Sequence, residues 1–113
     1  MEVKGDNYKI WYDNNAATVN FKGVLRLNGV EEYKEIFKLL NDVMTEEPAR
    51  ITLNLMHLEF LNSSGITMLS KFVIEMRSKT IHLMILGSNN LSWQGKSLRN
   101  LQRLMPNLNL TFV

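Results

Sequence analysis

The apolar side chains of this chain change period along its length, from every second residue to every third or fourth and back, and this switching constrains the fold more than any single motif. Tyr8–Tyr12 and Thr18–Leu25 read as strands, with Val19 and Phe21 alternating against Thr18, Asn20 and Lys22. Asp13-Asn14-Asn15 supplies turn residues between them, so the two runs predict an antiparallel hairpin. From Glu31 the period lengthens: Tyr33, Ile36, Phe37, Leu40, Val43 and Met44 mark an amphipathic helix that Pro48 ends. Ile51–Met56 is β-rich and nearly apolar on both faces, and reads as a central strand covered on both sides. Ile66, Leu69, Phe72, Val73 and Met76 then mark a second helix, and Ile81–Gly87 a further buried strand. Trp93, Leu98, Leu101, Leu104 and Met105 mark a third helix, whose start Gly95 moves toward Lys96, and Leu108–Val113 a last strand. The predicted order is ββαβαβαβ. A mixed, mostly parallel sheet with right-handed crossovers follows, in one α/β domain spanning residues 1–113.

Composition fits this reading. A chain of 113 residues that is 45% hydrophobic can bury one ordinary core. It has no cysteine, so thiol catalysis, thiolate metal sites and disulfides are excluded and a reducing, cytoplasmic setting is expected. No apolar run approaches the roughly 18 residues of a membrane span, and the first nine residues are mostly polar, so neither membrane association nor a secretory leader is expected. The net charge of +2 is unevenly spread: residues 1–60 carry seven Lys/Arg against ten Asp/Glu, and residues 61–113 six against one. Such an asymmetry can mark a nucleic-acid or acidic-partner surface; in halves that fold together, a dipolar surface is expected instead.

Common catalytic signatures are missing: there is no phosphate loop, no GxGxxG turn, no HExxH and no GxSxG elbow. His57 and His82 are the only histidines and neither sits in a cluster of acids, so no metal and no cofactor is expected. Ser63 has no recognisable base, orienting acid or oxyanion motif around it, and no enzymatic activity is expected. Lys96, Arg99 and Arg103 share one helix face beside Trp93. Three cations are few for a nucleic-acid surface, and Trp93 keeps the spacing of Leu101 and Leu104, so a core tryptophan and no direct nucleic-acid partner are expected.

The informative segment is Leu58-Glu59-Phe60-Leu61-Asn62-Ser63-Ser64-Gly65-Ile66, a strand-to-helix turn with two hydroxyls at a helix N-terminus. Asn62 and the serines are natural caps for the free N–H groups there. The same place would hold a phosphoserine cheaply, because oriented amides favour the roughly −1.5 to −2 charges of the modification. With its element order, this string resembles the STAS domain of bacterial anti-sigma factor antagonists, where a hydrophobic-acidic-hydrophobic segment leads into Asp-Ser-Ser-Gly. The resemblance implies partner switching. A serine/threonine kinase of the GHKL type, which doubles as an anti-sigma factor, phosphorylates the first serine, and a PP2C-like phosphatase removes the group. On this chain Ser63 matches the phosphoacceptor, Ser64 the second serine and the secondary candidate for phosphorylation, and Gly65 the glycine. Asn62 and Asn54 stand where the family usually has aspartate.

The family's interface implies a docking surface made of Asn62, Ser63, Ser64, Gly65, Thr67, Ser70 and Lys71. Met68, adjacent to Thr67 and off the apolar stripe, is expected either as an exposed adaptable contact or as a partly buried edge residue. The alternative is a docking module of the same fold that is never phosphorylated.

Overall fold

A computed structural model describes residues 1–113. Six strands form one sheet: β1 (Glu2–Lys4), β2 (Tyr8–Asp13), β3 (Thr18–Leu25), β4 (Arg50–Leu61), β5 (His82–Gly87) and β6 (Asn109–Phe112). The helices are α1 (Gly29–Glu32), α2 (Lys34–Thr45), α3 (Ser63–Met76) and α4 (Gln94–Leu104). Strands lie side by side in chain order, antiparallel from β1 to β3 and parallel from β3 to β6. The α/β pattern and its order are those predicted, with two additions. β1 pairs with β2 through Val3↔Ile10, and the first helix is broken at Tyr33 into one turn and a longer segment.

Register explains which residues are covered. Ile10 faces Phe21, Val19 faces Leu53, and Leu53 faces Ile85; all five are buried in one core of 27 apolar side chains. On α2 the buried positions are Ile36, Leu39, Leu40, Val43 and Met44, and α2, α3 and α4 contact one another in series above the same sheet face. At roughly 1.5–3 kcal/mol for each fully buried aliphatic side chain, this face dominates the stabilising side of folding.

The opposite face carries Trp11, Asn20, Asn54 and Leu86 in one cross-strand row and no helix. Ile51–Met56 is therefore central but covered on one side only. Thr52, Asn54 and Met56 point to the open face, where neighbouring strand residues shield them instead of a helix. A second row on that face sets Lys4 opposite Lys9, Lys9 opposite Lys22, and Lys22 opposite His57. Glu2 answers only Lys9, at 3.3 Å.

β4 is longer than the predicted run and outlasts β5: their pairing stops at Asn54↔Leu86, whereas β3 follows β4 to Leu61. Two side chains at the start of α4 take up carbonyls on the uncovered edge. The Trp93 indole N–H donates to Leu58 O at 3.0 Å, and the fully buried Gln94 donates from Nε2 to Leu55 O at 2.7 Å while accepting from Ser88 N at 2.7 Å. Gly95 lies inside α4, which starts at Gln94 rather than near Lys96 because this anchorage offsets the glycine's cost. Trp93 is half-buried and packs against the core rather than lying within it, and Arg99 stacks over Phe112, 5.1 Å from the ring centre.

Candidate functional site

β4 delivers the chain to the head of α3, where Asn62 makes three connections. Its Oδ1 accepts from Gly65 N at 3.0 Å, capping the helix, and from the Tyr33 hydroxyl at 2.6 Å; its Nδ2 donates to Leu27 O at 2.7 Å. The opposite amide orientation would set an NH2 group against the Gly65 N–H, so the network fixes the assignment. Asn62 therefore ties together the loop after β3, the junction of α1 with α2, and α3. An aspartate could make the first two bonds but not the third. That gives a structural reason for asparagine at this position, and it turns the side chain toward the protein interior rather than toward a partner.

Tyr33 is 1% exposed, and its hydroxyl pKa is raised above the ordinary 10 chiefly because burial disfavours the phenolate, with the backbone of Leu27 opposing the shift. Gly65 is buried too: a Cβ there would run into Leu61 and the Tyr33 hydroxyl. Its role is close packing beneath α3, and it presents no surface of its own.

The two serines differ. Ser64 Oγ accepts from Gly29 N at 3.2 Å, pinning α1 to α3. Ser63 is exposed, its hydroxyl makes no hydrogen bond, and it occupies the first helical position directly after the cap. Asn62 serves the amides of Gly65 and Ile66, through its side chain and carbonyl respectively, leaving those of Ser63 and Ser64 without a protein partner. The sequence supplies two equivalent-looking serines, and the fold leaves only the first one unengaged.

Along α3, Thr67 and Lys71 are exposed, while Ser70 is half-buried and donates to Ile66 O at 2.8 Å. Met68 is 5% exposed, which corrects the expectation of an open contact. The buried stripe runs through Gly65, Met68, Leu69, Phe72, Val73 and Met76. It is phased from Gly65 rather than Ile66, which moves Met68 inside, leaves Ile66 half-buried and turns Ile74 outward. Met68 instead forms the floor of a groove between α3 and the α1–α2 segment, walled by Val30, Tyr33 and Phe37 and edged by Ser64, Thr67, Lys71, Lys34 and the acidic Glu31. Its volume of about 140 Å³ falls below the roughly 300–1,000 Å³ of small-molecule sites. A single protruding side chain is the better match in size. No sequence signal pointed to this groove, since it needs α1, whose lone turn has no buried residue to create a period.

No protein-family model matches the sequence. No curated protein matches it either. Solved structures do. A chain in the crystal structure of the diguanylate cyclase SiaD in complex with its activator SiaC from Pseudomonas aeruginosa aligns with a TM-score of 0.74 at 11% identity, covering 100% of this chain and 99% of that one. SiaC of Pseudomonas aeruginosa aligns with a TM-score of 0.68 at 12% identity, covering 100% and 94%. At these identities the likeness establishes a shared fold across the whole chain. In addition, no helix is long and apolar enough to cross a membrane.

Proposed function

We propose that this chain is a non-enzymatic regulator of a partner-switching circuit, which docks on a partner protein through the head and outer face of α3 and is controlled by phosphorylation of Ser63. The observation that carries the reading is the contrast at the helix head: Ser63 is exposed and unengaged beside two free amides, while Asn62 and Ser64 are committed to holding the scaffold. A phosphoryl group on Ser63 would meet free N–H donors and the positive end of α3 without breaking a hydrogen bond. The fold would stay and the surface potential would change, as an on–off docking surface requires.

Two lines support the reading. The Leu58–Ile66 string resembles that of anti-sigma factor antagonists, and the fold is shared with structures described as SiaC, one of them holding SiaC as the activator of a diguanylate cyclase. In the proposed circuit the kinase is an anti-sigma factor of the GHKL type, and a PP2C-like phosphatase resets Ser63. The setting is cytoplasmic.

The test is peptide-resolved mass spectrometry of the protein from its native cells under growth and stress, combined with partner binding by Ser63→Ala and Ser63→Glu variants. Condition-dependent phosphate on Ser63, binding by Ser63→Ala and loss of binding by Ser63→Glu are expected. An unmodified Ser63 in every condition, with equal binding by both variants, would replace the switch with a permanent docking module.

A further inference from the structure

We infer that the groove between α3 and the α1–α2 segment receives an amphipathic helix of the partner, which inserts one apolar side chain over Met68 and sets a carboxylate against Lys71. The inference rests on the protein-docking reading above and adds the chemistry of the docked segment. Four large apolar side chains are well exposed in the molecule, and two of them, Met1 and Val113, are chain ends. The other two are Val30, 69% exposed on α1, and Ile74, 48% exposed on α3. Val30 forms one wall of the groove. Ile74 lies seven residues beyond Thr67 and three beyond Lys71, so it continues the groove's edge along the same helix face. From Ser64 to Ile74 this edge is about 15 Å long at 1.5 Å per residue. That length matches two to three turns of a docked helix with anchors three and four residues apart.

Charge selects the partner's chemistry. Lys71 takes part in none of the molecule's three ion pairs, and Lys34 reaches Glu31 only at 4.0 Å with both side chains largely in solvent. Glu31 lines the groove beside Lys34 and faces it, so Lys71 is the one cation at the edge of the apolar floor with no counter-charge of its own. An extended strand would find no ladder to join here, because the walls are helices whose backbone bonds are internal, whereas a helix brings its own bonds satisfied.

The test replaces Thr67, at the groove's edge, with photoreactive p-benzoylphenylalanine, and separately Lys22, on the open sheet face, in the full chain expressed in its native cells. The crosslinked partner peptide is then sequenced by mass spectrometry. Position 67 is expected to capture a segment with apolar residues three and four apart and an Asp or Glu within the same turns. A synthetic copy of that segment should bind the unlabelled protein at least tenfold more weakly after Lys71→Glu or Val30→Asp, with unchanged urea midpoints verifying folding. Changing the peptide's acid to lysine should restore binding to Lys71→Glu. Crosslinks from position 22 alone would overturn the groove and leave protein docking standing. A captured segment without an acid, or indifference to Lys71→Glu, would overturn the inference itself. No crosslink from either position would overturn both the inference and the docking reading.

Discussion

Replacing Asn62 with aspartate restores the residue usual in the resembled family and, on the geometry above, weakens this protein. The bonds from Gly65 N and the Tyr33 hydroxyl survive and gain charge, worth about 0.3–1 kcal/mol at a helix N-terminus. The bond to Leu27 O cannot survive. It places a second carboxylate oxygen where an N–H group now sits 2.7 Å from a carbonyl. Losing such a bond forfeits about 0.5–1.5 kcal/mol, and stranding the part-buried carbonyl against a like partial charge adds about 1–3 kcal/mol. The net expectation is a loss of about 0.5–4 kcal/mol. For a chain of this size that lowers Tm by roughly 2–16 °C. Urea unfolding at pH 7, followed by tryptophan fluorescence, reads it as a lower midpoint at constant slope. A midpoint equal to or above that of the natural protein would refute the claim that the amide is held for its donor.

Three further expectations come from particular contacts. Ser63→Glu should leave thermal stability unchanged or raise it by a few tenths of a kcal/mol, whereas Ser64→Glu should cost about 1 kcal/mol by breaking the bond from Gly29 N; equal melting temperatures would contradict the asymmetry. Lys22→Glu should stabilise by about 0.2–1 kcal/mol by relieving the Lys9–Lys22 cross-strand pair, and the gain should vanish near 1 M salt. Burial raises the Tyr33 pKa in the fold, so its contribution is complete below about pH 10, where the unfolded phenol begins to titrate, and is lost as pH climbs toward the higher folded value. Tyr33→Phe should flatten the alkaline stability slope while lowering stability at neutral pH through the lost bond to Asn62; an unchanged alkaline slope would remove Tyr33 as its source.

Periodic burial made most of the fold legible. α2 and α3 put enough apolar residues on one face for spacing to reveal them, and β3 alternates cleanly. β1 escaped because three residues with a single apolar member, Val3, have no period. The one-sided sheet escaped although Ile51, Leu53 and Leu55 alternate with Thr52 and Asn54, because the apolar Met56 on the open face makes so short a run read as covered on both sides. At the site, Asn62 was legible as a cap because capping is local, but its bonds to Leu27 and Tyr33 span 35 and 29 residues and depend on how the loops meet. The difference between Ser63 and Ser64 has the same origin, a contact from Gly29 across 35 residues.

The arrangement of the strands in chain order bears on how the molecule is made. Emerging from the ribosome N-terminus first, each new strand finds its neighbour already synthesised, and the sheet lengthens at one edge from β1 to β6 without any strand being inserted between two others. The helix crossing between β3 and β4 is complete before β4 arrives, and the same holds for α3 and α4 before β5 and β6. A nascent chain whose residues through Leu61 have emerged can therefore form the four-stranded sheet β1–β4, with the outer edge of β4 bare until residues 82–94 supply β5 and the anchors Trp93 and Gln94. That interval, with the central strand still an edge, is the stage of synthesis at which pairing with another chain has its opening.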